Sequence, residues 1–134
     1  MAGKDNFQDN YPVPKTALVL PAPTVASLSF ESGEQGAYRV YTSAKLRVLR
    51  VKAIVTKAIA ATDNGTITIK NAAGSTIATL TITLSSAIGT EFTTGAIVST
   101  NQDIGEDSFF DLTTAKTTVG GKVQVSIETG ILPA

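Results

Sequence analysis

The chain has 134 residues, with 11 basic and 11 acidic side chains, no cysteine and no histidine. This length fits one domain, which can bury a core without disulfide bonds, and the balanced charge disfavours a nucleic-acid-binding protein. Without His or Cys, neither a Ser-His-Asp nor a Cys-His catalytic arrangement can form, and thiolate or imidazole metal ligands are lacking. We therefore expect no enzymatic activity, no bound metal and no cofactor.

Residues 1–14 are polar and lack the apolar run of a signal peptide, so we expect synthesis in the cytoplasm without signal-directed secretion. Two prolines disfavour helix in this segment. It fits either a disordered tail or a flexible N-terminal arm that becomes ordered on a partner. In the second case its contacts would be made by Phe7, Tyr11, Pro12 and Val13.

Residues 15–134 are predicted to form a single folded domain of short strands. Runs of Val, Ile, Thr and Leu with period-two alternation are separated by Gly, Pro, Asn and Ser clusters. The predicted strands are, in chain order, 16–20, 24–30, 37–42, 45–60, 66–70, 76–84, one or two within 90–100, 108–113 and 122–128.

The segment 45–60 raises a register problem. Apolar residues recur at every second position from Leu49 to Val55, which favours a strand over a helix. Leu46 and Val48, however, lie in the opposite phase. Either a β-bulge near Leu49 shifts the register, or the first half of the strand is covered on both faces. Basic residues interrupt the segment, so it cannot be a membrane-spanning helix.

Two turns are predicted around the next strand. Asp63-Asn64-Gly65 resembles a tight hairpin, because Asn and Gly both tolerate positive φ between two apolar alternations. The cluster at 71–75 predicts a second turn. With about eight strands and no convincing helix, the pattern predicts an all-β, antiparallel β-sandwich with an extended N-terminal arm. We favour a jelly roll over an immunoglobulin-like sandwich, whose Cys and Trp hallmarks are missing.

Candidate chemistry is sparse. The segment 101–107 contains Asp103, Glu106 and Asp107, which fits a solvated turn better than a calcium loop, since the spacing matches no calcium-binding motif. Paired carboxylates could hydrolyse glycosides and a Ser-Lys pair could act as a nucleophile. The sequence singles out neither a carboxylate pair nor a serine, so we expect no catalytic residues.

Five basic residues fall within one predicted strand, which makes them a candidate contact surface. They are either a solvated strand face or an electrostatic contact with an acidic protein surface. Nucleic acid is disfavoured because no aromatic residues alternate with them. The residues are Lys45, Arg47, Arg50, Lys52 and Lys57, of which Arg47, Arg50 and Lys52 are the predicted partner-binding residues.

Two stretches of the chain resemble a known family. They are KLRVLRVKAIVTKAIAATDNGTITIKNAAGSTIATLTITLSSAIGT and, near the C-terminus, GGKVQVSIETG. Their succession of a long strand, a hairpin-like turn, a small-residue loop and a closing strand resembles the head-decoration (cement) proteins of tailed bacteriophages. The resemblance implies a trimeric jelly roll on the capsid exterior that clamps neighbouring capsomers and reaches them with an N-terminal arm. The implied partners are the major capsid protein and other copies of the chain, with no nucleic acid, membrane or catalytic residue involved.

A rival interpretation is a receptor-binding or adaptor module of a phage tail or head fibre. In that case loops such as 85–89 or 101–107 would face a glycan or another cell-surface target. Few aromatic residues are present to stack on sugars, which makes this the second choice.

Overall fold

The computed structural model describes residues 23–94 and 96–133, which contain nine β-strands and no helix. The strands are β1 (Thr24–Ser29), β2 (Ala37–Thr42), β3 (Leu46–Lys57), β4 (Gly65–Asn71), β5 (Thr76–Ile82), β6 (Glu91–Thr93), β7 (Asp103–Ile104), β8 (Ser108–Ala115) and β9 (Lys122–Ile131).

Two antiparallel sheets form a sandwich. Sheet A has the order β1-β9-β3-β6, with β7 also paired to β3, and sheet B has the order β2-β8-β4-β5. β6 and β7 both pair with β3, at different points along its length. Counted as one interrupted strand, they give two four-stranded sheets in which only β4 and β5 form a hairpin. Every other connection crosses between the sheets, which is the jelly-roll arrangement that the sequence predicted.

The core lies between the sheets and follows from the alternation. Ile67 and Ile69 of β4 and Val123, Val125 and Ile127 of β9 belong to this core, and all five side chains are fully buried. Thr, Ser and charged residues occupy the intervening outward positions, as expected for sheets that are wet on one side. Two aromatic rings, those of Phe30 and Phe110, fill the largest volumes of the core.

A β-bulge at Leu49 resolves the register problem in β3. Val48 pairs with Thr129 and Arg50 pairs with Glu128, so Leu49 is the extra residue. Val48 is buried, whereas Leu49 is 46% exposed, because the bulge moves the apolar phase by one position. The bulge prediction is therefore confirmed, and two-sided burial of the first half is wrong.

The predicted hairpin at Asn64-Gly65 is wrong. β3 and β4 lie in different sheets, so the segment between them crosses from one sheet to the other. Asn64 Oδ1 accepts a hydrogen bond from the Leu84 backbone N–H at 2.9 Å. Gly65 lies beside the Phe30 ring, where a Cβ atom would be only 2.8 Å from two ring carbons. Lack of a side chain, and not a positive φ, is what this position requires.

The turn at 71–75 is confirmed as the β4–β5 hairpin. The Asn71 side-chain oxygen accepts hydrogen bonds from the backbone N–H groups of Ala73 and Ser75. Gly74 has φ +85°, a conformation that favours glycine. Strand β5 ends at Ile82, two residues before the predicted end at 84, and Leu84 is partly exposed.

The segment 101–107 is not simply an acidic loop. Asp103–Ile104 forms β7 and pairs with the start of β3, and Ile104 is buried. Between β6 and β7 the chain crosses to the other sheet, where Val98 N–H donates to the Ile77 carbonyl and the Asn101 side chain donates to the Thr76 carbonyl, both at 2.8 Å. These bonds cover part of the free edge of β5.

Candidate interaction surface

The outer face of sheet A brings the predicted basic residues together. Arg47, Arg50 and Lys52 all project from this face of β3. In an antiparallel sheet, directly paired residues share a face, so Arg50 lies beside Glu128 of β9 and Arg47 beside Asp103 of β7.

Two arginines of this face are held by carboxylates of the same chain. Arg47 donates two hydrogen bonds to Asp103, at 2.7 and 3.1 Å, and Arg50 donates two to Glu128 at the same distances. These bonds lower the pKa of both carboxyl groups and raise the pKa of both guanidinium groups. The face therefore carries fixed, largely neutralised ion pairs, and less positive charge than the sequence suggested.

The same face exposes several large apolar side chains. Val25 of β1 is 54% exposed and Ile54 of β3 is 38% exposed. Together with Lys52 and Glu91 they border an open depression of about 440 Å³. Leu49 adds a further exposed apolar group beside Arg50. We call Val25, Leu49 and Ile54, with the ion pairs of Arg47 and Arg50, the sheet A face.

The arm residues predicted to bind a partner, Phe7, Tyr11, Pro12 and Val13, lie outside the described residues, as does the predicted strand 16–20. Their role stays a prediction. The described chain begins at Pro23, one residue before β1, which is the outermost described strand on its side of sheet A.

A second cluster lies on the outer face of sheet B and was missed from the sequence. Tyr41 pairs with Phe109, and Arg39 pairs with Asp111, between β2 and β8. The Arg39 guanidinium lies 3.7 Å from the Phe109 ring centre and donates to both Asp111 oxygens, at 2.9 and 3.2 Å. Tyr41 meets Phe109 edge-on at 6.1 Å and is 75% exposed. We call these four residues the Tyr41 platform.

An ion pair with a buried lysine lies at the end of the sandwich away from Tyr41. The Lys116 side chain is wholly inaccessible, and its ammonium group contacts the carboxylate and backbone carbonyl of Asp63. Asp63 also accepts hydrogen bonds from the backbone N–H groups of Thr117 and Thr118. Burial opposes ionisation of Asp63, but the amide and ammonium donors outweigh it and lower its pKa to about 2.

This ion pair joins two connections instead of forming a reactive centre. Asp63 lies between β3 and β4, and Lys116 follows β8. A carboxylate with so low a pKa stays ionised at neutral pH and is not poised to exchange a proton. Gln35 reinforces the junction by accepting a hydrogen bond from Lys116 N–H and donating to the Phe30 and Lys116 carbonyls.

Within residues 23–94 and 96–133, no three His, Cys, Asp or Glu side chains come close enough together to hold a metal ion. Asp103, one of the residues weighed for calcium, is instead bound to Arg47. In the same ranges, no helix has the length and apolar character needed to cross a membrane.

The chain was compared with protein families, with curated protein sequences and with solved structures. No family model matches the sequence, and no curated protein sequence matches it. Among solved structures, the chain is similar to one in the capsid asymmetric unit of cyanophage Pam1, with a TM-score of 0.52 and 16% identity. The alignment covers 91% of each chain, so the two proteins have similar lengths. The likeness shows that this chain shares its fold with a protein from a phage capsid.

A second solved structure, that of infectious bursal disease virus Gt strain, gives a TM-score of 0.32 with 14% identity. This chain covers only 32% of that longer chain, although 87% of its own length is aligned. The score is too low to indicate a shared fold.

Proposed function

We propose that this chain is a structural virion protein that binds the outer surface of a phage capsid and stabilises it. The observation that carries the proposal is the jelly roll shared, over nearly the whole of both chains, with a similarly sized protein in the cyanophage Pam1 capsid asymmetric unit. The resemblance of the sequence to head-decoration proteins supports the same role.

The chemistry of the sheet A face supports a docking role for that face. Stable protein interfaces place apolar side chains at the centre and satisfied polar groups around them. Val25, Leu49 and Ile54 supply the apolar groups, and the ion pairs of Arg47 and Arg50 supply a preordered polar rim. Because both guanidinium groups are already paired, docking does not require an unpaired arginine to be buried.

The partner in this proposal is the major capsid protein, with Arg47, Arg50 and Lys52 among the contact residues. Phe7, Tyr11, Pro12 and Val13 provide a second contact through the N-terminal arm. Once one of the two contacts on a chain has formed, the other contact forms at a higher effective concentration. A homotrimer would carry three copies of each contact. Native mass spectrometry tests the oligomeric state, and a monomer at micromolar concentration contradicts the trimer.

The experiment uses heads of the phage that encodes this chain, prepared without it. We expect the purified protein to co-sediment with these heads and to raise the temperature at which they release DNA. Replacing Val25 and Ile54 together by Gln keeps charge and size while removing apolar contact, and should cost about 2 kcal/mol, or about 30-fold in affinity.

The matched control replaces Thr79 and Thr81 by Gln on the outer face of sheet B, where both are exposed. This variant should bind heads like the wild type. A separate variant, Phe7→Ala with Tyr11→Ala, tests the arm contact and should also weaken binding. Failure of the wild-type protein to co-sediment overturns the proposed function, and equal loss in both Gln variants overturns the assignment of the face.

A further inference from the structure

The Tyr41 platform is a preordered surface that the fold does not otherwise use. Its residues occupy two adjacent rows, with Tyr41 beside Phe109 and Arg39 beside Asp111. Arg39 is fixed from two sides, by the carboxylate of Asp111 and by the face of the Phe109 ring. Binding a ligand here would cost little side-chain entropy, because the supporting groups are already immobilised.

Exposure of Tyr41 points to a contact with something outside the domain. Among the described large apolar and aromatic side chains, Tyr41 has the greatest exposed fraction, 75%. Its ring packs edge-on against Phe109, which leaves much of its surface in solvent. An exposed aromatic ring on rigid strands provides a large apolar contact with little entropy to lose.

Two shallow depressions flank the aromatic row. One, of about 430 Å³, is lined by Tyr41, Thr42, Ser43, Asp107 and Ser108. The other, of about 200 Å³, is lined by Ser108 and Phe109, by the β4–β5 turn and by residues 103–105. The two depressions share Ser108, so they adjoin at the start of β8, next to the aromatic row.

The polar groups around the rings fit hydroxyl-rich ligands. Ser43 and Ser108 offer hydroxyl groups, which both donate and accept, and Asp107 offers a carboxylate that accepts only. Sugar hydroxyls pair with both kinds of group, while the apolar C–H face of a pyranose ring can stack on Tyr41. The carboxylate of Asp107 disfavours an anionic ligand.

We propose that the Tyr41 platform binds a neutral oligosaccharide, with one ring stacked on Tyr41 and its hydroxyls held by Ser43, Asp107 and Ser108. The platform lies on sheet B, on the opposite side of the sandwich from the sheet A face. A chain seated by sheet A would therefore keep this site open to solvent. Tyr41, Ser43 and Ser108 are not part of the sheet A face, so the saccharide proposal does not rest on the capsid role.

The test is a titration of the isotopically labelled full chain, followed by NMR, with linear tetrasaccharides of neutral hexose and of N-acetylhexosamine. Sialylated and sulfated tetrasaccharides serve as the charged comparison. We expect a neutral probe to shift the amide signals of Tyr41, Ser43 and Ser108, with a dissociation constant in the millimolar range. Tyr41→Ala should weaken binding about tenfold, and Tyr41→Phe, which keeps the ring, should weaken it far less.

Thr81→Ala, on the same outer face but away from the platform, is the matched control and should bind like the wild type. Absence of shifts with every neutral probe overturns the proposal, as does binding that survives Tyr41→Ala. Tighter binding of the charged probes overturns the assignment to neutral sugars. An extended peptide is titrated in the same way, and shifts along β2 with the peptide but with none of the sugars would show a protein ligand instead.

Discussion

Gly65 provides a sharp test of how the two sheets are joined. A Cβ at this position would lie 2.8 Å from two carbons of the Phe30 ring and 3.2 Å from a third. The ring cannot easily retreat, because it is fully buried. Two backbone hydrogen bonds also hold Phe30 in place: its N–H donates to the Gly121 carbonyl at 2.9 Å, and its carbonyl accepts from the Gly120 N–H at 3.0 Å. Gly65→Ala should therefore strain the core.

The added methyl group needs most of an ångström of movement in a close-packed core, an overpacking that costs about 3 kcal/mol. In a domain of this size, that loss lowers the melting temperature by about 10 °C. Gly105→Ala is the matched control, because a Cβ there meets nothing within 4 Å. Thermal unfolding followed by circular dichroism measures both. A Gly65→Ala protein as stable as the Gly105→Ala protein would refute the close approach of Gly65 to Phe30.

Two further predictions concern the carboxylate of Asp63 and the β-bulge at Leu49. Because the pKa of Asp63 falls from the ordinary 3.8 to about 2 in the folded state, its ionised form stabilises the fold above about pH 4 and this contribution disappears as the pH falls through 2. The stability difference between wild type and Asp63→Asn, measured by urea unfolding, should shrink over that range, and a constant difference would contradict it. Leu49→Ala should cost less than about 1 kcal/mol and Ile127→Ala about 3 kcal/mol, because only Ile127 is buried; similar losses in the same assay would contradict the bulge.

Most strands could be predicted because their signal is local. Period-two alternation located β2, β4, β5, β8 and β9, with boundaries differing mainly at the C-terminal ends. Even the bulge at Leu49 left a trace, since the apolar phase changes in the middle of β3. The pairing of the strands could not be predicted in the same way, because it depends on residues far apart in the sequence. Asn64-Gly65 resembles a hairpin locally, yet the packing of Phe30 and the bonds to Asp63 and Asn64 come from residues far along the chain.

Candidate surfaces were predicted only in part. Arg47, Arg50 and Lys52 were grouped from the sequence, but their neutralisation by Asp103 and Glu128 depends on pairing with β7 and β9. The Tyr41 platform was missed for the same reason. Strand alternation puts Arg39 and Tyr41 on one face of β2. Phe109 and Asp111 join them only through the pairing of β2 with β8, and Asp111 lies 72 residues from Arg39 in the sequence.

The central proposal is that sheet A seats this chain on a phage capsid, and binding to undecorated heads tests it most directly. Cryo-electron microscopy of heads incubated with the protein should show added density that fits the jelly roll, with Val25, Leu49 and Ile54 turned toward the capsid surface. Heads that remain bare at saturating protein, with an unchanged temperature of DNA release, would contradict the proposal.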